Sequence, residues 1–390
     1  MYNIKTLNKI AQVGLDELDK SKYAVSGECA DPAGILVRSA DMLEAELPES
    51  LLAIARAGAG TNNIPIDRCS EAGIVVFNTP GANANAVKEL VLCALLLTSR
   101  DVLGGAAWVR DQAATPGVEV STVVEKGKSA FAGPELYRKT LGVVGLGAIG
   151  ALVANIGLNM GMDVYGYDPY LSVDAALRLD RHVHVVKDID LLYQNCDYIT
   201  LHVPAVDATK GMIDAAAIAK MKDGVRIVNL ARGTLVKDDD LIAALESGKV
   251  AAYATDFPNN KLVAAPHVAA LPHLGASTPE SEDNCAVMAA RELRDYLENG
   301  NIVNSVNLPQ CTMPWTGTAR LCIHHRNSPG ILAGVTSALS AEGINVENMT
   351  NKSKGDYAYT MVELNSVPAP AVVDHLRGVE GVQRVRVLER

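Results

Sequence analysis

The sequence predicts an α/β protein with two Rossmann-like, doubly wound parallel-sheet domains and a C-terminal ferredoxin-like βαββαβ module. Three observations predict it. The chain has 390 residues, too many for one ordinary core. It is 48% hydrophobic with 32 Gly and only 3 Phe, a composition that fills parallel sheets covered by helices. Short apolar runs also alternate with stretches of helical periodicity along most of its length.

The elements follow in order. Residues 35–38 (ILVR), 52–56 (LAIAR) and 74–77 (IVVF) read as strands, with room for a helix over 65–72. Residues 84–99 read as a long helix, because Ala86, Leu90, Cys93, Ala94 and Leu97 recur at helical spacing. From residue 141 the pattern sharpens: strand LGVVGL, a helix over 148–160, strand DVYGYD, a helix near 188–194, then strand YITLHV. RIVNLA and VAAYATDF continue the sheet, with a helix over 237–247 between them and a second long helix over 281–299. Residues 300–317 are polar, contain Pro309 and Pro314, show no period and read as a linker. Beyond it ARLCIHH, a helix from 331, INVENMTNKS, YAYTMVEL, PAPAVVDHLRG and VQRVRVLE give the βαββαβ order. The expected domains are therefore 1–95 with 281–305, then 96–280, then a 306–317 linker and a 318–390 module.

Composition narrows the function. A net charge of −10 disfavours nucleic acid, since no basic patch offsets it. The seven cysteines are scattered without a CxxC pair, which argues against a disulfide framework or a metal site and for a reducing cytoplasm. No charged-then-apolar leader opens the chain. The longest uncharged run, 262–279, is broken by Pro266 and Pro272, so no membrane span is expected.

Val143-Val144-Gly145-Leu146-Gly147-Ala148-Ile149-Gly150 sets GxGxxG between a strand and a helix. Gly145 suits the tight turn, Gly147 lets the backbone approach a pyrophosphate, and Gly150 lets helix and strand pack closely. Ala148 and Ile149 open the helix whose N-terminus attracts that anion. Asp168, eighteen residues beyond Gly150 at the end of the next strand, is placed to accept ribose hydroxyls; the alternative is that Asp168-Pro169 only opens a turn. Its carboxylate would repel a 2′-phosphate, which favours NAD.

Ligands bind at the carboxyl ends of such strands, where Arg232, Asp256 and His273 fall. Oxidising a hydroxy acid requires a base for the hydroxyl proton and a cation for the carboxylate, which His273 and Arg232 can supply. Singly, each has a blander reading, a structural histidine and a salt-bridged arginine.

The chain resembles the D-isomer-specific 2-hydroxyacid dehydrogenase family in Arg56-Ala57-Gly58-Ala59-Gly60, Asn78-Thr79-Pro80-Gly81, 145–150, Asn229-Leu230-Ala231-Arg232-Gly233 and Pro272-His273-Leu274-Gly275-Ala276-Ser277-Thr278. The resemblance implies that His273 is the acid/base, that Arg232 holds the substrate carboxylate, and that Asp256 meets the nicotinamide carboxamide. His202, Val203, Pro204, Ala231 and Gly275 complete the expected cofactor contacts. It implies phosphate contacts from Arg38, Ser39 and Arg56, with Ala57, Gly58 and Ala59 offering amides to the carboxylate.

One departure stands out. The family places a glutamate soon after its aspartate to polarise the histidine, whereas this chain reads Asp256-Phe257-Pro258-Asn259-Asn260-Lys261. Glu280, Glu282, Asp283, an asparagine or water are the open choices.

His325-Arg326-Asn327-Ser328-Pro329-Gly330 and Gly343-Ile344-Asn345 resemble an ACT domain, implying L-serine as effector held by His325, Asn327 and Asn345. The bland reading gives both asparagines to turns. The implied activity is oxidation of 3-phospho-D-glycerate by NAD, the first step of serine synthesis, in a homodimer or homotetramer. The alternatives are another D-2-hydroxy acid such as lactate or glycerate, or a non-catalytic NAD-sensing corepressor-like protein.

Overall fold

A computed structural model describes residues 1–390, Asp174 by its backbone alone. The chain divides into two units, Met1–Asn83 with Pro279–Arg390, and Ala84–Thr278.

The first unit holds two sheets. One is five-stranded and parallel, in the spatial order Tyr23–Ser26, Tyr2–Leu7, Gly34–Val37, Ala53–Arg56, Val75–Phe77. Every residue of Gly34–Val37 and Val75–Phe77 is buried, the mark of a parallel strand covered on both faces. The two strands nearest the N-terminus escape the sequence reading because Tyr2–Leu7 buries only Ile4 and Tyr23–Ser26 only Tyr23. Helix Pro279–Asn299 packs on this sheet through Cys285, Ala286, Ala289, Ala290, Leu293, Tyr296 and Leu297.

The other sheet is antiparallel, in the order Val346–Lys354, Tyr357–Leu364, Ala319–Arg326, Val382–Glu389. Strands Ala319–Arg326 and Tyr357–Leu364 are buried on both faces, whereas the edge strand Val346–Lys354 has no buried residue. Ala319, Leu321, Ile323, Val362 and Leu364 face helices Ile331–Ala341 and Pro370–Arg377. Cys322, Tyr359, Met361 and Leu388 join the core of the parallel sheet and its long helix. The segment read as a linker is packed as well: Ile302, Leu308, Cys311 and Met313 are buried, and Ile302 bridges Cys311.

The second unit has seven parallel strands, in the order Val268–Ala270, Val250–Thr255, Val225–Asn229, Tyr198–Leu201, Thr140–Val144, Asp163–Tyr167, His184–Val186. This is the doubly wound order, with its reversal between Thr140–Val144 and Tyr198–Leu201. Helix Ala84–Ser99 packs against it through Val87, Val91, Ala94 and Leu95. Helices Val102–Ala114 and Val120–Gly127 bury no residue, which is why apolar periodicity does not announce them. Among the described residues all seven cysteines are free, and no single helix is long and apolar enough to cross a membrane.

Candidate functional site

At the reversal of the seven-stranded sheet the chain turns through Gly145 into helix Ala148–Asn159. Gly145 has φ 91°, a conformation that favours glycine, and an added Cβ would sit 2.6 Å from the His202 carbonyl. At Gly150 a Cβ would lie 1.8 Å from the Gly145 carbonyl, so any side chain there would wedge loop and helix apart. Gly147 is different: a Cβ there meets nothing within 4 Å. That open face at a helix N-terminus, with unpaired N–H groups aimed outward, fits a dinucleotide pyrophosphate.

Asp168 closes the cradle. Its Oδ2 accepts from the Leu146 amide at 2.9 Å and its Oδ1 from the Tyr170 amide at 2.9 Å. The carboxylate thus ties the glycine loop down and also forms the Asp-Pro turn. Each oxygen keeps a lone pair for a ribose hydroxyl. His202 follows strand Tyr198–Leu201, donates its backbone N–H to the Val144 carbonyl, and sets Nε2 3.0 Å from Thr200 Oγ1. Burial pushes its imidazole down to about 3, so it is a neutral ring.

Three neighbouring strand ends bring Arg232, Asp256, His273 and Gly275 together. Asp256 is 1% exposed; its Oδ2 accepts from the Gly275 amide at 3.2 Å, and its Oδ1 is buried with no partner among the described residues. Burial raises its carboxyl above the ordinary range, opposed by that amide and by the charges of His273 and Arg232. An orphaned acceptor of this kind is costly, and an amide from outside the chain would relieve it. Arg232 is exposed, its Nη1 donating to the Ala231 carbonyl at 2.6 Å. Its backbone is clamped by Asn229, a fully buried residue that sequence reasoning passed over: Oδ1 accepts the Ala231 and Arg232 amides, and Nδ2 donates to the Arg232 carbonyl. The available signal was a polar residue ending an apolar strand.

No carboxylate hydrogen-bonds the His273 ring among the described residues. The ring lies against Phe257 instead, centroids 4.6 Å apart and planes at 49°. Of the open choices, Glu282 is engaged elsewhere, accepting from Arg38 Nη2 at 2.6 Å.

In the first unit, Arg38 follows one strand of the five-stranded sheet and Arg56 ends its neighbour, and Arg56 Nε donates to the Arg38 carbonyl at 3.1 Å. Asn8, in the left-handed region at φ 70°, accepts the amides of Ser39 and Ala40 on one Oδ1. Gly58 has φ 147°, and a Cβ there would fall 1.9 Å from Arg56 Nη1; only glycine lets that guanidinium lie across the turn. Two of the three amides expected for the carboxylate are already used, Ala57 N–H by the Val37 carbonyl and Gly58 N–H by the Arg56 carbonyl. The sheet ladder runs one residue past the strand, and a tight turn takes the next amide, so Ala59 is the remaining donor.

In the antiparallel sheet His325 is buried, with Nδ1 2.7 Å from the Arg326 carbonyl and Nε2 2.8 Å from Thr360 Oγ1. Asn327 Nδ2 donates to the Gly355 carbonyl at 3.2 Å. Asn345 precedes a strand whose first residue, Val346, pairs with Leu364, whereas Arg326 pairs with Tyr357 at the opposite end. A serine site held by Asn327 and Asn345 together would need them side by side, as a βαββαβ order suggests; within one chain they are not, because a strand, a helix and the return to a parallel strand carry the second residue to the opposite end.

A family model described as D-isomer specific 2-hydroxyacid dehydrogenase, NAD binding domain, matches residues 92–275, and an ACT domain model matches 320–381. D-3-phosphoglycerate dehydrogenase of Haemophilus influenzae is 31% identical, over 98% of this chain and 94% of its own length. The enzyme of the same name from Bacillus subtilis is 32% identical, over 80% of this chain and 60% of its own length. Among solved structures, an NAD+-bound 3-phosphoglycerate dehydrogenase of Entamoeba histolytica superposes with a TM-score of 0.61 at 28% identity, over 78% of this chain and 98% of that one. A glyoxylate reductase from Paecilomyes thermophila gives 0.64 at 26%, over 78% and 98%. With the doubly wound sheet, the open glycine turn and the strand-end cluster of Arg232, Asp256 and His273 already in place, the chain belongs to the D-isomer specific 2-hydroxyacid dehydrogenase family and carries a C-terminal ACT domain.

Proposed function

We propose that this chain oxidises 3-phospho-D-glycerate to 3-phosphooxypyruvate with NAD, the entry step to L-serine. The observation that supports it most is the cluster around Asp256, which sets a base, a cation and an orphaned carboxylate oxygen at neighbouring strand ends of a dinucleotide-binding sheet. NAD, when bound, accepts the hydride from the substrate C2. His273 takes the hydroxyl proton as general base, work typically worth about 10² to 10⁴ in rate. Arg232 presents its fork to the carboxylate, and Asp256 Oδ1 awaits a carboxamide N–H.

Arg38 and Arg56 are the groups for the phosphate. The Arg38–Glu282 pair is half-exposed, and such pairs are worth about 0–1 kcal/mol, so a phosphate dianion can displace the glutamate. A steady-state comparison of 3-phosphoglycerate, D-glycerate and D-lactate tests the assignment. A kcat/KM for either unphosphorylated acid equal to that for 3-phosphoglycerate would replace it with a broader dehydrogenase. No turnover with any of them, beside intact NADH binding, would favour the corepressor-like reading.

L-Serine is the proposed effector. Because Asn327 and Asn345 lie at opposite ends of one module, a shared site requires two copies, set so that one end meets the other. A homodimer or homotetramer in the cytoplasm is the assembly this reading needs.

A further inference from the structure

Helix Pro279–Asn299 buries one face, and within that face stands a carboxyl group. Glu292 is 8% exposed. Its Oε1 accepts from Asn304 Nδ2 at 2.7 Å, and its Oε2 is buried with no partner among the described residues. Leucine would fill such a place without stranding a polar atom, and an unpaired buried acceptor costs more than most hydrogen bonds return.

What Glu292 holds is a residue in an unusual conformation. Asn304 has φ 57° and begins a stretch that runs beside strand Val75–Phe77: Ser305 bridges Phe77, Val306 N–H donates to the Val76 carbonyl, and Val76 N–H donates to Asn307 Oδ1. The Asn304 carbonyl accepts the Asn78 amide at 3.4 Å. Asn78 in turn sends Nδ2 to the Ala59 carbonyl at 2.6 Å, while the Thr79 amide reaches the Gly58 carbonyl at 3.1 Å. A continuous chain of hydrogen bonds therefore links Glu292 through Asn304 and Asn78 to the turn that carries Arg56, Gly58 and Ala59.

We infer that Glu292 is a positioning residue for the substrate, fixing the Arg56–Ala59 turn from behind through Asn304 and Asn78. The inference rests on the reading that this turn meets 3-phosphoglycerate. It explains why a carboxyl is kept in an apolar face, since its acceptor oxygen pins a left-handed asparagine that would otherwise be free to relax.

A cavity of about 750 Å3 lies alongside, lined by Gly81, Ala82, Asn284, Met288, Asn301 and Val303. Arg291, Arg294, Asp295 and Glu298 also face it, and Glu17 holds both arginines; among the described residues none of these forms an ion pair with Glu292. Burial pushes the Glu292 carboxyl up to about 8, so it is protonated at neutral pH and ionises in mild alkali. The ionised group is the stronger acceptor for Asn304 Nδ2, whose bond favours that form, so ionisation tightens the link.

The test measures KM, kcat and calorimetric affinity for 3-phosphoglycerate from pH 6.5 to 9 in the full chain. For the natural protein KM should fall about two- to threefold between pH 7 and 9, as the charge-assisted link to Asn304 forms. Glu292→Gln keeps the acceptor and should hold KM within about twofold across that range. Glu292→Leu removes it and should raise KM about two- to tenfold at every pH, the loss expected from one hydrogen bond, with kcat and the KM for NAD within about twofold. Asn304→Ala breaks the same link from the other side and should reproduce that pattern, even if the leucine variant fails to fold.

Unchanged KM in Glu292→Leu or Asn304→Ala, equal losses in kcat or NAD affinity, or a Gln variant with the natural pH profile would each overturn the inference. Arg56→Ala in the same assay separates the two readings. If it leaves KM unchanged, the turn is not the substrate cradle and the inference falls with it. If it raises KM while Glu292→Leu does not, only the link is wrong.

Discussion

His273 illustrates how far one residue can be read in advance. Its place after a strand and its motif were legible, but its neighbour was not, because an aromatic ring 4.6 Å away leaves no signature in spacing. His273→Ala should lower kcat by about 10² to 10⁴ with NADH affinity nearly intact, measured by stopped-flow and fluorescence titration. Lost cofactor binding at unchanged turnover would contradict the role. Asp168 was legible as the acid that ends the strand after the glycine turn, the proposed ribose partner, and illegible as the clasp of Leu146. Asp168→Ser should therefore cut the preference for NAD over NADP and also weaken both cofactors, as seen by comparing kcat/KM for each.

Glu292 adds a stability term whose sign is fixed. Its folded pKa of about 8 lies above the ordinary 4.5, so between those values the folded state holds more protons than the unfolded one, and stability falls as pH rises through that window. Glu292→Gln should be more stable than the natural protein by on the order of 2–4 kcal/mol at pH 8 and about equal near pH 4.5, read by urea unfolding. A difference independent of pH would show that the carboxyl is not buried as described.

Among the elements, most strands with several buried residues were readable, and the two N-terminal ones, with one buried residue each, were not. Thr140–Val144 and Val225–Asn229 are buried almost throughout, whereas Tyr2–Leu7 has one buried residue, and no pattern of period 2 emerges from YNIKTL. The last strands of the chain were found but their environment was not. Alternation normally signals one wet face. Here Arg320, His324 and Glu363 occupy the second face and are buried, held by partners remote in sequence: Arg320 pairs with Glu363, and His324 Nε2 meets Tyr296 Oη at 2.9 Å, while its Nδ1 has no partner among the described residues.

The long helix Pro279–Asn299 gains from this. Its final carbonyls are taken by the ACT module and the strand Tyr2–Leu7: Arg386 donates to Leu297 and joins the Gly300 amide on Tyr296, Arg320 donates to Asn299 and Tyr2 to Leu297, while Tyr359 donates to Gly300 just past the helix end. The guanidinium of Arg386 also lies over the Tyr296 ring at 4.6 Å, a cation at the negative end of a helix dipole. Arg386→Met should cost about 1–3 kcal/mol in urea unfolding, since charge-assisted bonds to buried carbonyls are lost, while Tyr296 and Leu297 each keep one donor, the Gly300 amide and the Tyr2 hydroxyl. A cost below about 0.5 kcal/mol would mean that the cap is idle.

At the scale of the molecule, a net charge of −10 coexists with arginines at each expected anion site, so binding of an anionic substrate depends on local fields rather than on the total. Charge reversal at Arg38 or Arg56 should therefore weaken 3-phosphoglycerate by far more than D-glycerate, which has no dianion to lose. Equal losses in kcat/KM would assign both arginines to structure. The ACT module was visible in the sequence as an appendage behind a linker. In the structure its sheet shares a hydrophobic core with the five-stranded sheet, through Cys322, Tyr359, Met361 and Leu388 against Ile4, Phe77, Tyr296 and Leu297. Mutations that shorten this gene thus meet a barrier that a tethered regulatory domain would not impose. A stop codon near residue 318 would deliver a chain with a raw apolar wall and an uncapped helix, so removing the ACT module calls for rebuilding the domain beneath it, and an ACT module grafted from a relative must fit this helix or bring its own.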